Sequence, residues 1–123
     1  MELRTDLAVE AREIAGENVG GVDFVQYSEN GLDISRLEVK TRKARQQLGK
    51  EEGTYITVEL PSLTDNFTET DERLITIGKE IRRLLPVNGL VLVVGLGNPE
   101  ITPDSLGPKT SYRVLGTRQI SGE

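Results

Sequence analysis

The chain has 123 residues and a formal charge of −5, with 36% hydrophobic and 28% charged residues. This is the size and composition of one soluble globular domain. It contains no cysteine and no histidine, so disulfides, thiolate nucleophiles, imidazole-assisted nucleophiles and Cys or His metal ligands are excluded for these residues. Any chemistry falls to carboxylates, Lys, Arg, Tyr and hydroxyls. The acidic balance argues against direct nucleic-acid binding, which needs a basic surface. The longest apolar run, 90–94 continuing as Gly95-Leu96-Gly97, is far shorter than the ~20 residues of a membrane span. The charged start has no apolar signal-peptide core. The expected location is the cytoplasm, with no membrane partner.

In chain order, Thr5 or Asp6 caps an expected helix to about residue 15, with Leu7, Ala8, Ala11 and Ile14 at helical spacing. Gly16, Gly20 and Gly21 break it. Residues 22–27 read as a strand, and Ser28-Glu29-Asn30-Gly31 as a turn carrying the Asn-Gly signal. Leu32, Ile34, Leu37 and Val39 form a second strand, although the step from 34 to 37 breaks strict alternation. The pair predicts a β-hairpin. The one basic cluster, residues 40–45, has no interleaved aromatic residue and reads as a solvated connection.

Residues 54–60 read as a strand ended by Pro61, followed by a polar loop. A helix is predicted from about Asp71 to Leu85, burying Leu74, Ile77, Ile81 and Leu85 and stopped by Pro86. The run 90–94 has no alternation and is β-branched-rich, which predicts a central strand buried on both faces. Thr102-Pro103 then opens a last helix carrying Leu106, Tyr112, Val114 and Leu115, with Thr102 as N-cap and Pro103 at its first position. No second domain boundary is visible, so residues 1–123 read as a single domain.

The informative motif is the expected strand, glycine loop and helix across 93–108. Open α/β sheets place their sites at such strand ends. Gly95 and Gly97 fit the start of a dinucleotide fingerprint, but Glu100 occupies the third glycine position and would repel pyrophosphate. No phosphate P-loop is present, because neither Gly49-Lys50 nor Gly78-Lys79 has the flanking residues. Asp104 stands in the first turn of the expected helix. It either complements the helix dipole or acts as an acid or base. Carboxylate acid–base chemistry usually pairs two acids whose environments split their pKa values. Nothing in the spacing pairs another acid with Asp104.

Three blocks resemble the germination protease (spore protease) family. They are Arg4-Thr5-Asp6-Leu7-Ala8-Val9-Glu10-Ala11, Gly53-Thr54-Tyr55 before a strand, and Val93-Val94-Gly95-Leu96-Gly97-Asn98 with Thr102-Pro103-Asp104-Ser105-Leu106-Gly107-Pro108. Thr117-Arg118 also fits, and the resemblance runs over essentially the whole chain. It implies an α/β fold: part of a three-layer αβα sandwich, similar to hydrogenase maturation peptidases, with an N-terminal β-hairpin.

The resemblance also implies an unusual aspartic-type endopeptidase without a cofactor. Such an enzyme hydrolyses small acid-soluble, DNA-coating spore proteins at germination in the spore core. It is made as a self-cleaving zymogen and assembles as a tetramer. Asp104 would be a catalytic aspartate, with Gly95, Gly97 and Asn98 shaping the loop beside it.

The family's second catalytic aspartate lies on a later strand. The chain therefore reads as the N-terminal portion of a longer peptidase, inactive alone. The Arg4-Thr5-Asp6 block puts its start near a mature end, and Glu13-Ile14-Ala15 resembles the family's cleavage pattern but reads as a helical turn. The alternatives are a truncated, non-enzymatic binding or assembly module, and a metal-dependent maturation peptidase, which the lack of histidine disfavours.

Overall fold

The structure, a computed structural model, describes residues 20–60 and 71–117. The expected first helix, Pro61 and the polar loop after it, and Arg118 lie outside the described residues. Two compact units divide at Leu85 and Pro86.

The first unit holds a three-stranded antiparallel sheet in the order β1-β2-β3: β1 is Val22–Glu29, β2 Leu32–Val39 and β3 Gly53–Glu59. The predicted hairpin is present. Glu29 pairs with Leu32 across Asn30 (φ 52°) and Gly31 (φ 77°), the two left-handed residues of a type I′ turn. Asn30 reaches this conformation because its short amide tolerates it.

The break in alternation along β2 has a structural cause. The strand pairs without a bulge from Leu32 to Val39, so its side chains alternate strictly. Leu32 and Ile34 are buried on one face, and Leu37 and Val39 on the other. A central strand covered at different ends on different faces must change its apolar phase midway.

One cover is α1, Arg42–Leu48. The basic stretch expected as a connection is therefore mostly helix. Thr41 caps it by accepting from the Ala44 N–H at 3.2 Å, and Gly49 (φ 63°) closes it with an N–H bond of 2.9 Å to the Arg45 carbonyl. Its cations do face solvent: Arg42, Lys43 and Arg45 are exposed while Ala44 is buried against Leu37 and Val39. Val22, Phe24, Leu48 and Tyr55 complete this cluster.

The other face carries α2, Glu72–Leu84. Asp71 caps it through the Arg73 N–H at 2.9 Å, and the Arg73 guanidinium on the same carboxylate holds Asp71 below the usual carboxylate range. The helix exists where predicted, but it docks on a different face. Its buried residues are Thr76 and Glu80, while Leu74, Ile81 and Leu85 are exposed.

The reason is polar. Asn30 Nδ2 donates to Thr76 Oγ1 at 3.0 Å, Tyr27 donates its hydroxyl to Glu80 Oε1, and Arg36 Nε lies 4.0 Å from Glu80 Oε2. These partners turn the apolar stripe roughly 100° away from the sheet, at 100° per residue. Burial pushes the Tyr27 phenol up. The adjacent Glu80 carboxylate adds to this, and Arg36 opposes it.

The second unit has no strand among its described residues. The expected buried strand at 90–94 is absent, and Leu90, Leu92 and Val94 are exposed. A strand needs a hydrogen-bonding neighbour, and an unalternated one needs cover on both faces; the described residues of this unit supply neither. A 3-10 turn, Thr102–Asp104, precedes α3, Leu106–Arg113. The expected single helix opening at Thr102 is thus two elements. Ser105 stands between them, its Oγ donating back to the Thr102 carbonyl at 2.8 Å. Val114 and Leu115, expected on the helix, lie beyond its end.

Candidate functional site

The loop 95–98 lies directly on the start of α3, and three glycines permit this. A Cβ on Gly95 would strike the carbonyl of Gly107, one on Gly97 the carbonyl of Asp104, and one on Gly107 the carbonyl of Leu96. Gly97 also has φ 145°, a backbone that side chains disfavour. Here the glycines allow close backbone approach rather than contact with a nucleotide.

Asn98 organises the turn that follows. Its Oδ1 accepts from the Glu100 N–H at 3.0 Å, and its carbonyl accepts from Ile101 N–H at 3.2 Å. The first bond is an Asx-turn, in which the side chain stands in for backbone. The Asp104 N–H donates to the Ile101 carbonyl at 2.9 Å, which starts the 3-10 turn. The chain so returns that the Asn98 N–H donates to Asp104 Oδ2 at 2.7 Å, within the range of a charge-assisted bond.

The structure therefore brings Gly95, Gly97, Asn98 and Asp104 together, an arrangement that the family resemblance implied. It differs in their setting. The expected sheet edge is missing, and Asp104 sits at the junction of a glycine loop and a short helix. Asp104 is exposed, and its Oδ1 has no hydrogen-bond partner among the described residues. One oxygen is fixed by the backbone and the other is open, which suits a carboxylate that receives a proton from water. No group of three acids able to share a metal ion occurs among the described residues.

Beside this turn is an open surface groove lined by Pro99, Leu106, Lys109, Tyr112 and Arg113 among others, with Leu106 64% and Tyr112 92% exposed.

The family model for germination protease matches residues 2–121. The chain is 38% identical over 123 residues to the germination protease of Caldanaerobacter subterraneus, covering 96% of this chain and 38% of that protein. It is 38% identical over 128 residues to that of Clostridium tetani, covering 98% of this chain and 39% of the relative. For the Priestia megaterium germination protease the identity is 37%, over 96% of this chain and 36% of the relative. The chain thus spans less than two fifths of the length of these relatives. Among the described residues no helix is long and apolar enough to cross a membrane. A family match running from residue 2 to residue 121, with the Gly95-to-Asp104 turn inside it, means that the chain belongs to the germination protease family.

Proposed function

We propose that this chain is the Asp104-bearing part of a spore germination endopeptidase of aspartic type. Its substrates would be small acid-soluble spore proteins, hydrolysed in the spore core. The observation that supports this most is the Asn98–Asp104 hydrogen bond of 2.7 Å, which orients one carboxylate and leaves its second oxygen open. In this reading Asp104 takes a proton from the attacking water, and Asn98 acts through its backbone amide as a positioning residue. Gly95 and Gly97 let the loop approach. Two-carboxylate chemistry requires a partner acid at a different pKa, so the chain alone is inactive in this reading.

The finer fold expectation belongs here too. A three-layer αβα sandwich would give the run 90–94 the cover it lacks, and the greater length of the relatives supports it. A self-cleaved zymogen and a homotetrameric assembly go with the same reading.

The test is a chimera in which this chain replaces the matching part of the Caldanaerobacter subterraneus relative. It should cleave a small acid-soluble spore protein, and Asp104→Asn should lower the rate about 10²–10⁴-fold. An Asp104→Asn chimera as active as its parent would overturn the assignment. A chimera that binds the substrate without cleaving it, alongside an active control relative, would instead favour the binding or assembly module.

A further inference from the structure

Two Asn-Gly pairs occur in the chain, Asn30-Gly31 and Asn88-Gly89. Both carry the same latent chemistry. Glycine puts no side chain in the way, so its backbone nitrogen can reach the preceding asparagine Cγ and close a ring. The fold treats the two pairs differently.

Asn30 is held in place. Its Nδ2 donates to Thr76 Oγ1 at 3.0 Å, and its turn is fixed by the pairing of Glu29 with Leu32. Bringing its Cγ onto the Gly31 nitrogen requires breaking that bond and turning the amide away from α2. Asn88 has no such restraint. It is exposed, lies outside every helix and strand, and has no hydrogen-bond partner among the described residues. Its neighbours do not enclose it, with Val87 98% and Leu90 77% exposed. A Cβ placed on Gly89 would meet nothing within 4 Å, so there is room beside the attacking nitrogen for ring closure and for water. Asn98 precedes Pro99, whose nitrogen carries no hydrogen to lose.

We infer that Asn88-Gly89 is a self-modification site, at which the chain deamidates with water as the only co-reactant. The Gly89 nitrogen attacks Asn88 Cγ and gives up its proton. The new C–N bond forms, the Cγ–Nδ2 bond breaks and ammonia leaves. Water then opens the resulting succinimide at either carbonyl. One opening gives aspartate, and the other gives isoaspartate, whose main chain runs through the former side-chain methylene. Both products add one negative charge. Isoaspartate also lengthens the backbone just before the apolar run 90–94, close behind the boundary of the two units at Leu85 and Pro86.

The test incubates the 123-residue chain at mildly alkaline pH, where the attacking nitrogen loses its proton more readily, and follows it by peptide mapping with mass spectrometry. The mass gain of amide-to-acid conversion should appear at Asn88 roughly tenfold faster than at Asn30, which must first give up a hydrogen bond and open its turn. In urea that unfolds the chain, the two should convert at comparable rates. Thr76→Val should raise conversion at Asn30 alone. Gly89→Ala should suppress it at Asn88 alone, because the added methyl crowds the nitrogen.

Conversion at Asn88 no faster than at Asn30 in the folded chain would overturn the inference. So would a difference that persists in urea, since its cause would then be the adjacent residues and not the fold. A Gly89→Ala chain converting at Asn88 as fast as its parent would also refute it, because the ring would not be closing through that nitrogen.

Discussion

Replacing Glu80 by Leu should destabilise the first unit by about 3–5 kcal/mol, the range for removing one partner of a buried charge pair. Glu80 is 3% exposed and, among the described residues, meets the Tyr27 hydroxyl, Arg36 Nε at 4.0 Å and Arg83 Nε at 3.5 Å. Arg36 Nε is itself buried without a hydrogen bond among the described residues, and the Glu80 carboxylate 4.0 Å away is its ion-pair partner. Leu removes the acceptor of Tyr27, leaving a partly buried hydroxyl at a cost of about 1–3 kcal/mol. It also strands the Arg36 charge, whose side chain is 26% exposed and only partly hydrated.

Gln keeps an acceptor for Tyr27 and removes only the charge, so Glu80→Gln should cost about 1–2 kcal/mol. Combining Tyr27→Phe with Glu80→Leu removes both ends of the hydrogen bond. The double variant should be more stable than the sum of the singles by about 1–2 kcal/mol. Urea unfolding followed by circular dichroism measures this, as shifts in midpoint at constant m-value. A Glu80→Leu variant as stable as its parent, or equal losses for Leu and Gln, would refute the view that this polar cluster holds α2 on the sheet.

Two further outcomes follow from the same geometry. Tyr27 should titrate above the ordinary tyrosine value of about 10, because burial and Glu80 disfavour its phenolate. Its contribution to stability is fully present below the unfolded-state value and is lost as pH rises through the raised folded-state value. An alkaline stability profile that Tyr27→Phe leaves unchanged would contradict this. Gly97→Ala should strain the loop by about 1–3 kcal/mol, since its Cβ meets the Asp104 carbonyl at φ 145°. The Asn98 amide resonance should move as its bond to Asp104 Oδ2 breaks, and an unmoved resonance would mean that the close approach does not position the carboxylate.

Much of the local structure was legible because it is encoded locally. The Asn30-Gly31 turn fixes the hairpin register whatever surrounds it. Asp71 and Pro86 bracket α2 for reasons internal to the backbone. The grouping of 95–104 was expected only from the family resemblance, and the backbone now explains it. Gly95 and Gly97 permit close backbone approach, and the Asx-turn at Asn98 carries the chain back to Asp104 within six residues.

The sequence by itself determined the hairpin with its Asn30-Gly31 turn, the strand at 53–59 and the extent of α2, all set by interactions between near neighbours. Tertiary structure decided which faces are covered. On α2, Leu74, Ile81 and Leu85 have the apolar spacing of a buried stripe, yet Thr76 and Glu80 are buried, because Asn30, Tyr27 and Arg36 bond polar groups more directionally than a sheet attracts methyl groups. On β2, the jump from Ile34 to Leu37 is intelligible only once covers are seen on opposite faces. Residues 90–94 have the composition of a buried strand but become one only with neighbours on both edges and cover on both faces. Burial depends on the partner as much as on the residue, and partners distant in the chain leave no periodic trace in it.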